Sequence, residues 1–138
     1  NLGDPFCSVF EINMKVRDYE CDAQGIVNNA NYQHYYEVAR HEFLEKSGLN
    51  FYELHKQGTD LVMISIHIRY MNSLQGGNKF ICTVDSLEKE GIRYFFNQRI
   101  IRESDNKVCS EARVEVVAVV KGHVSMPTVM DQAFNRYL

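Results

Sequence analysis

No apolar run in this sequence approaches the ~20 residues that a bilayer-spanning helix requires. The longest, Val114 to Val120, is interrupted by Glu115 and is strand-sized. A surplus of positive charge is also missing. The 15 Lys and Arg against 18 Asp and Glu give a formal charge of −3, without the basic footprint that nucleic-acid binding demands. Cys7, Cys21, Cys82 and Cys109 form no C-x-x-C pair and no short disulfide framework, which points to free thiols in a reducing compartment. The start, Asn1-Leu2-Gly3-Asp4-Pro5, has neither a basic n-region nor an apolar h-region, so a cytoplasmic location is expected. Repeats, linkers and low-complexity tracts are absent too, which excludes solenoid, collagen-like and disordered classes.

What remains is an ordinary globular composition: 138 residues, 45% hydrophobic and 24% charged. That length suits one domain over residues 1–138, with 1–8 and about 127–138 as terminal tails. A chain of this size buries roughly 68% of its unfolded surface and holds together on one core.

From Val9 the pattern alternates, with Phe10, Ile12, Met14 and Val16 facing one way and Glu11, Asn13, Lys15 and Arg17 the other, the mark of a half-buried strand. Asp18 to Asn29 has loop composition. A helix is expected from about Ala30 to Ser47, because Tyr32, Tyr35, Tyr36, Ala39, Phe43 and Leu44 recur at steps of three and four. Asn28 or Asn29 supplies its N-cap, and Gly48 its left-handed stop. Phe51 to Gly58 adds one or two further turns. Strands follow at Leu61–Tyr70, Phe80–Leu87, Ile92–Arg102 and Val108–Lys121. In the first of these, Val62, Ile64, Ile66, Ile68 and Tyr70 share a face. One long helix cannot cover both sides of five strands, so the expected class is α+β, with a sheet curling around the helix and an edge left for self-association.

Chemistry concentrates in Asp18-Tyr19-Glu20-Cys21-Asp22-Ala23-Gln24-Gly25-Ile26-Val27-Asn28-Asn29-Ala30-Asn31-Tyr32. This stretch puts the Asp22 carboxylate in a Gly-containing loop just before the helix. Free N–H groups and partial positive charge at a helix start suit a developing oxyanion. Gly25 permits a positive φ or a close approach of backbone to ligand. One short segment thus supplies a nucleophile or base and an oxyanion site, which is what acyl transfer to water needs. The plain alternative is a pair of solvated loop acids followed by an ordinary cap.

The stretch resembles the signature of the 4-hydroxybenzoyl-CoA thioesterase branch of the hotdog-fold family, Asp-x-Asp-x-x-Gly-x-Val followed by a helix with an early aromatic. Asp22, Gly25, Val27 and Tyr32 match, and Glu20 replaces the first Asp. Val16 to Glu20 and the Asn28-Asn29 pair look like the plant acyl-lipid (acyl-ACP) thioesterases of that branch. The resemblance implies a five-stranded curved antiparallel sheet around one long helix, assembled as a homodimer or homotetramer with active sites between subunits. It implies catalysis by Asp22 on an acyl-CoA or acyl-ACP thioester, by anhydride formation or by activating water, with no metal or other cofactor. It assigns the carbonyl oxygen to the backbone N–H of Asn29, where bacterial members carry His or Tyr. Gly25, Val27, Asn28 and Tyr32 are its expected substrate-binding neighbours, and Ser65, His67 and Arg69 would line the acyl or pantetheine channel from a partner.

Competing readings are weaker. His34 and His41 stand about 10.5 Å apart along the helix, too far to share one zinc ion. Glu37 is expected to support Arg40 or His41 on an exposed helix face. Ser65 and His67 are separated by about 6.6 Å along a strand, with no G-x-S-x-G elbow around the serine. Cys21 sits among acids that oppose a thiolate. A hotdog hydratase would need an Asp–His or Glu–His dyad, and the loop of Asp22 holds no His. A non-catalytic acyl-binding hotdog would be expected to lack the acid. An unrelated α+β interaction module is the remaining alternative.

Overall fold

The computed structural model describes residues 8–125 and 128–137. Cys7, Pro127 and most of the expected N-terminal tail lie outside the described residues. In chain order the elements are β1 (Phe10–Lys15), a 3₁₀ turn at Asp18–Glu20, α1 (Asn29–Lys46), α2 (Phe51–Lys56), β2 (Thr59–Tyr70), β3 (Lys79–Val84), β4 (Ser86–Glu90), β5 (Arg93–Arg102), β6 (Val108–Val120), β7 (His123–Ser125) and α3 (Thr128–Phe134), closed by a 3₁₀ turn at Asn135–Tyr137. Among the described residues, seven strands rather than five form one antiparallel sheet. Its order is β1-β3-β5-β6-β2, with β4 on β5 and β7 on β6. The extra strands have local causes. The expected strand Phe80–Leu87 is divided at Asp85, whose N–H bonds to Asn97 O, and the chain turns back after Lys121 and Gly122 at φ of 50° and 83°.

The long helix begins and ends as its sequence dictates. Asn28 is the cap, its side chain accepting from Ala30 N–H at 2.9 Å. Ser47 ends the helix, and Gly48 follows at φ 90°, with Leu49 N–H reaching back to Leu44 O. The buried stripe of α1 lies against the sheet: Phe43 meets Phe10 and Phe96 at ring distances of 5.8 and 6.0 Å, and Tyr35 meets Phe80 at 4.8 Å. Aromatic pairs at such spacings add to the hydrophobic gain from burial. The segment expected as a terminal tail instead contains α3, whose Met130 and Phe134 are fully buried in the same core.

One expected face is broken. The pairing of β2 with β6 shifts between Met63 and Ser65, and this bulge re-aims the strand. Leu61, Ile66 and Ile68 pack on the core, while Val62 and Ile64 are exposed instead of joining them. With Ile66 and Ile68 turned inward, the intervening Ser65, His67 and Arg69 point to the sheet's other face. Arg40 also departs from expectation. It is 7% exposed and donates to Gln98 Oε1 at 3.1 Å rather than lying on an open helix face beside Glu37.

Candidate functional site

The loop before α1 is a small closed hairpin. Cys21 and Val27 form a bridge, Asp22 N–H donates to Ile26 O at 2.9 Å, and Gly25 N–H turns back to Asp22 O at 3.0 Å. Gly25 has φ 78°, a conformation that disfavours any residue with a Cβ. A second loop pins this one down: Val27 N–H donates to Leu74 O at 2.9 Å and Gly76 N–H to Gly25 O at 3.2 Å.

Asp22 is exposed in the single chain. Its Oδ1 accepts from Gln24 N–H at 2.8 Å and from Ile26 N–H at 3.2 Å. These two bonds fix the carboxylate, and Oδ2 has no hydrogen-bond partner among the described residues. The start of α1 is equally selective. Ala30 N–H goes to the Asn28 side chain, Asn31 N–H goes to Asn28 O, and Asn28 N–H goes to Glu20 O. The N–H of Asn29, the first residue of the helix, is left without an acceptor among the described residues. A fixed carboxylate with a free oxygen therefore flanks the same short loop as an unspent helix-start N–H.

The other motif residues shape this end. Val27 is buried in the core. Tyr32 is 3% exposed, and its phenol oxygen accepts from Leu74 N–H at 3.2 Å. Its ring meets Tyr70 edge-on at 5.2 Å. Burial pushes the Cys21 thiol up, and Asp18, Asp22 and Glu20 push it further the same way, which disfavours the nucleophilic thiolate. Ser65, His67 and Arg69 are not gathered with Asp22. Ser65 donates to Glu115 at 2.8 Å, Arg69 faces Glu111 at 3.9 Å, and His67 and Arg69 line a separate hollow of about 310 Å³.

Glu20 is the residue whose importance the sequence understated. It is 8% exposed. Its Oε1 accepts from Arg17 N–H at 2.8 Å and Tyr35 O–H at 2.9 Å, while its carbonyl takes the Asn31 side-chain amide at 2.8 Å. Its place in the motif, two residues before Asp22, was the available signal. The contact with Tyr35, made across the loop, was not visible in the sequence.

Sequence and fold also match known proteins. Residues 16–134 match the family described as the thioesterase-like superfamily. The chain is 34% identical over 111 residues to the chloroplastic acyl-acyl carrier protein thioesterase ATL3 of Arabidopsis thaliana, covering 80% of this chain and 58% of that protein. It is 29% identical over 132 residues to the acyl-CoA thioesterase YbgC of Haemophilus influenzae, covering 91% and 94%. The crystal structure of the hypothetical protein AQ1494 of Aquifex aeolicus superposes with a TM-score of 0.83 at 27% identity, over 90% of this chain and 98% of that one. The chain spans less than three fifths of the length of its Arabidopsis relative. No helix among the described residues is long and apolar enough to cross a membrane. By motif, layer order and the extent of the match, this chain belongs to the thioesterase-like superfamily.

Proposed function

We propose that the protein hydrolyses an acyl thioester carried on CoA or on acyl carrier protein, giving a free carboxylic acid and the carrier thiol. One observation carries this reading: Asp22 keeps Oδ2 free while Asn29 keeps its N–H free, at the two ends of one hydrogen-bonded loop. The thioester oxygen sits on the Asn29 N–H, where the helix start stabilises charge as the carbonyl becomes tetrahedral. Asp22 acts through Oδ2, either attacking the carbonyl carbon or taking a proton from the attacking water. In the general-base route water supplies the oxygen that ends in the acid. In the anhydride route Asp22 Oδ2 supplies it, and water then attacks the Asp22 carboxyl carbon and restores the carboxylate. In both the sulfur leaves as thiol. Holding the attacking group beside the carbonyl is worth an effective molarity of about 10⁵–10⁸ M, and one oxyanion donor a further ~10²–10³. Neither route requires a metal or an organic cofactor, and Cys21, Cys82 and Cys109, free thiols here, suit a reducing compartment such as the cytoplasm.

The working enzyme is a homodimer or a dimer of dimers built on β2. This strand ends the sheet order with its outer edge unpaired among the described residues, and Val62, Met63 and Ile64 are exposed along it. A 12-residue open edge with apolar side chains invites a second copy. Such a partner would bring Ser65, His67 and Arg69, which sit on that strand, towards the neighbouring site. A panel of acyl-CoA and acyl-carrier-protein thioesters read with a free-thiol dye tests the activity. Thiol release identifies a hydrolase, whereas hydration of an enoyl-CoA without thiol release would make the protein a lyase. Single-turnover hydrolysis in ¹⁸O-water separates the two routes, since only the anhydride route leaves label in the Asp22 carboxylate.

A further inference from the structure

A groove of about 650 Å³ opens on the outer side of β1, between that strand, β3 and the first turns of α1. Lys15, Arg17, Lys79 and His34 line it, with Glu20 and Glu103. Lys15 and Lys79 are direct cross-strand partners, an arrangement of like charges that costs stability. Several cations elsewhere are matched: Arg93 with Glu115, Arg99 with Asp85, Arg102 with Asp105 and Lys89 with Asp131. No ion pair among the described residues includes Lys15, Arg17 or Lys79. The Glu20 carboxylate is already committed to Arg17 N–H and the Tyr35 phenol. The groove is thus a local excess of positive charge on a chain whose formal charge is −3.

We infer that this groove holds the phosphate of the phosphopantetheine arm that presents the acyl group, an inference that rests on the thioester reading above. Its volume falls within the range of about 300–1,000 Å³ usual for small-molecule sites, and paired lysines are effective point-charge partners for phosphate. It also adjoins the turn that precedes the candidate active site. Glu20, on the groove wall, takes the Asn28 N–H and the Asn31 amide on its carbonyl, so one residue separates the cations from the helix start. CoA and acyl carrier protein both carry this phosphate.

The test uses three thioesters of one acyl group: acyl-CoA, acyl-carrier protein and acyl-pantetheine, which has no phosphate. In the double variant Lys15→Gln/Lys79→Gln, kcat/KM on the phosphate-bearing substrates relative to acyl-pantetheine is expected to fall about tenfold, chiefly through KM. Raised salt should reduce the same ratio in the unmodified protein, and Lys15→Arg/Lys79→Arg should retain it. A fall confined to one carrier supports the groove and names that carrier as the source of the phosphate. An unchanged ratio in a double variant with native circular dichroism overturns the inference. If the unmodified protein hydrolyses none of the three, the thioester reading fails and CoA titration decides the groove separately. A dissociation constant about tenfold weaker in the double variant supports the phosphate site, and equal constants overturn it.

Discussion

Tyr35 on α1 donates its phenol proton to Glu20 Oε1 at 2.9 Å, which ties the helix to the turn that precedes the Asp22 loop. Burial raises the Tyr35 pKa well above its usual value, and the adjoining carboxylate raises it further, so the phenol stays a donor across the working range. Removing it in Tyr35→Phe leaves a buried carboxylate with one charge-assisted bond fewer, at a cost of about 1.5–3 kcal/mol. Urea denaturation checks this. A variant as stable as the parent would mean that the pair is not holding the turn.

Gly25 offers a cleaner backbone test. Beyond its two chain neighbours, no atom of the described residues lies within 4 Å of the position its Cβ would take, and φ is 78°. Gly25→Ala should therefore lose only the strain energy, about 1–2 kcal/mol. Its turnover should drop further than that, by up to ~10², because a small shift of Asp22 misaligns the attacking oxygen. Thermal denaturation and kcat, measured on the same preparation, should separate these two effects.

Acid stability carries a signature from the β5–β6 hairpin. Arg102 holds the Asp105 carboxyl down to about 2, its Nε and Nη2 donating to the carboxylate at 3.0 and 2.7 Å. A depressed carboxyl stabilises the fold above its unfolded value of about 3.9. That contribution is lost as pH falls through about 2. Asp105→Asn should remove this segment of the acid-unfolding curve and leave the neutral-pH profile with the same shape. Identical acid curves for parent and variant would refute the assignment.

The free edge of β2 makes a further prediction. Ile64 is 51% exposed at the bulge, so Ile64→Lys should leave the monomer folded. It should also abolish assembly, since a charge on an open edge blocks strand addition. Sedimentation velocity reads the change, and hydrolysis should fall with it. A variant that still assembles at the parent concentration would place the interface elsewhere.

Much of this molecule is written locally. The three- and four-residue spacing from Tyr32 to Leu44, the Asn28 cap and the Gly48 stop fix α1 almost to the residue, because caps and stripes are local signals. The loop from Asp22 to Asn29 is legible for the same reason. What the sequence hides is non-local. The bulge between Met63 and Ser65 arises from pairing with β6, and alternation alone gives no sign of it. Arg40 reads as a surface residue until Gln98, 58 positions later, supplies its acceptor. Phe134 looks like a tail residue until its ring meets Tyr94 at 5.1 Å.

The central claim is that Asp22 does the chemistry, and Asp22→Asn tests it most directly. The amide oxygen of Asn can still accept from Gln24 and Ile26 N–H, so the loop should keep its shape while the reactive carboxylate is gone. With native circular dichroism and unchanged assembly, the variant should lose at least about 10² in kcat on acyl-CoA and acyl-carrier-protein thioesters. Hydrolysis by Asp22→Asn at the parent rate would contradict the account.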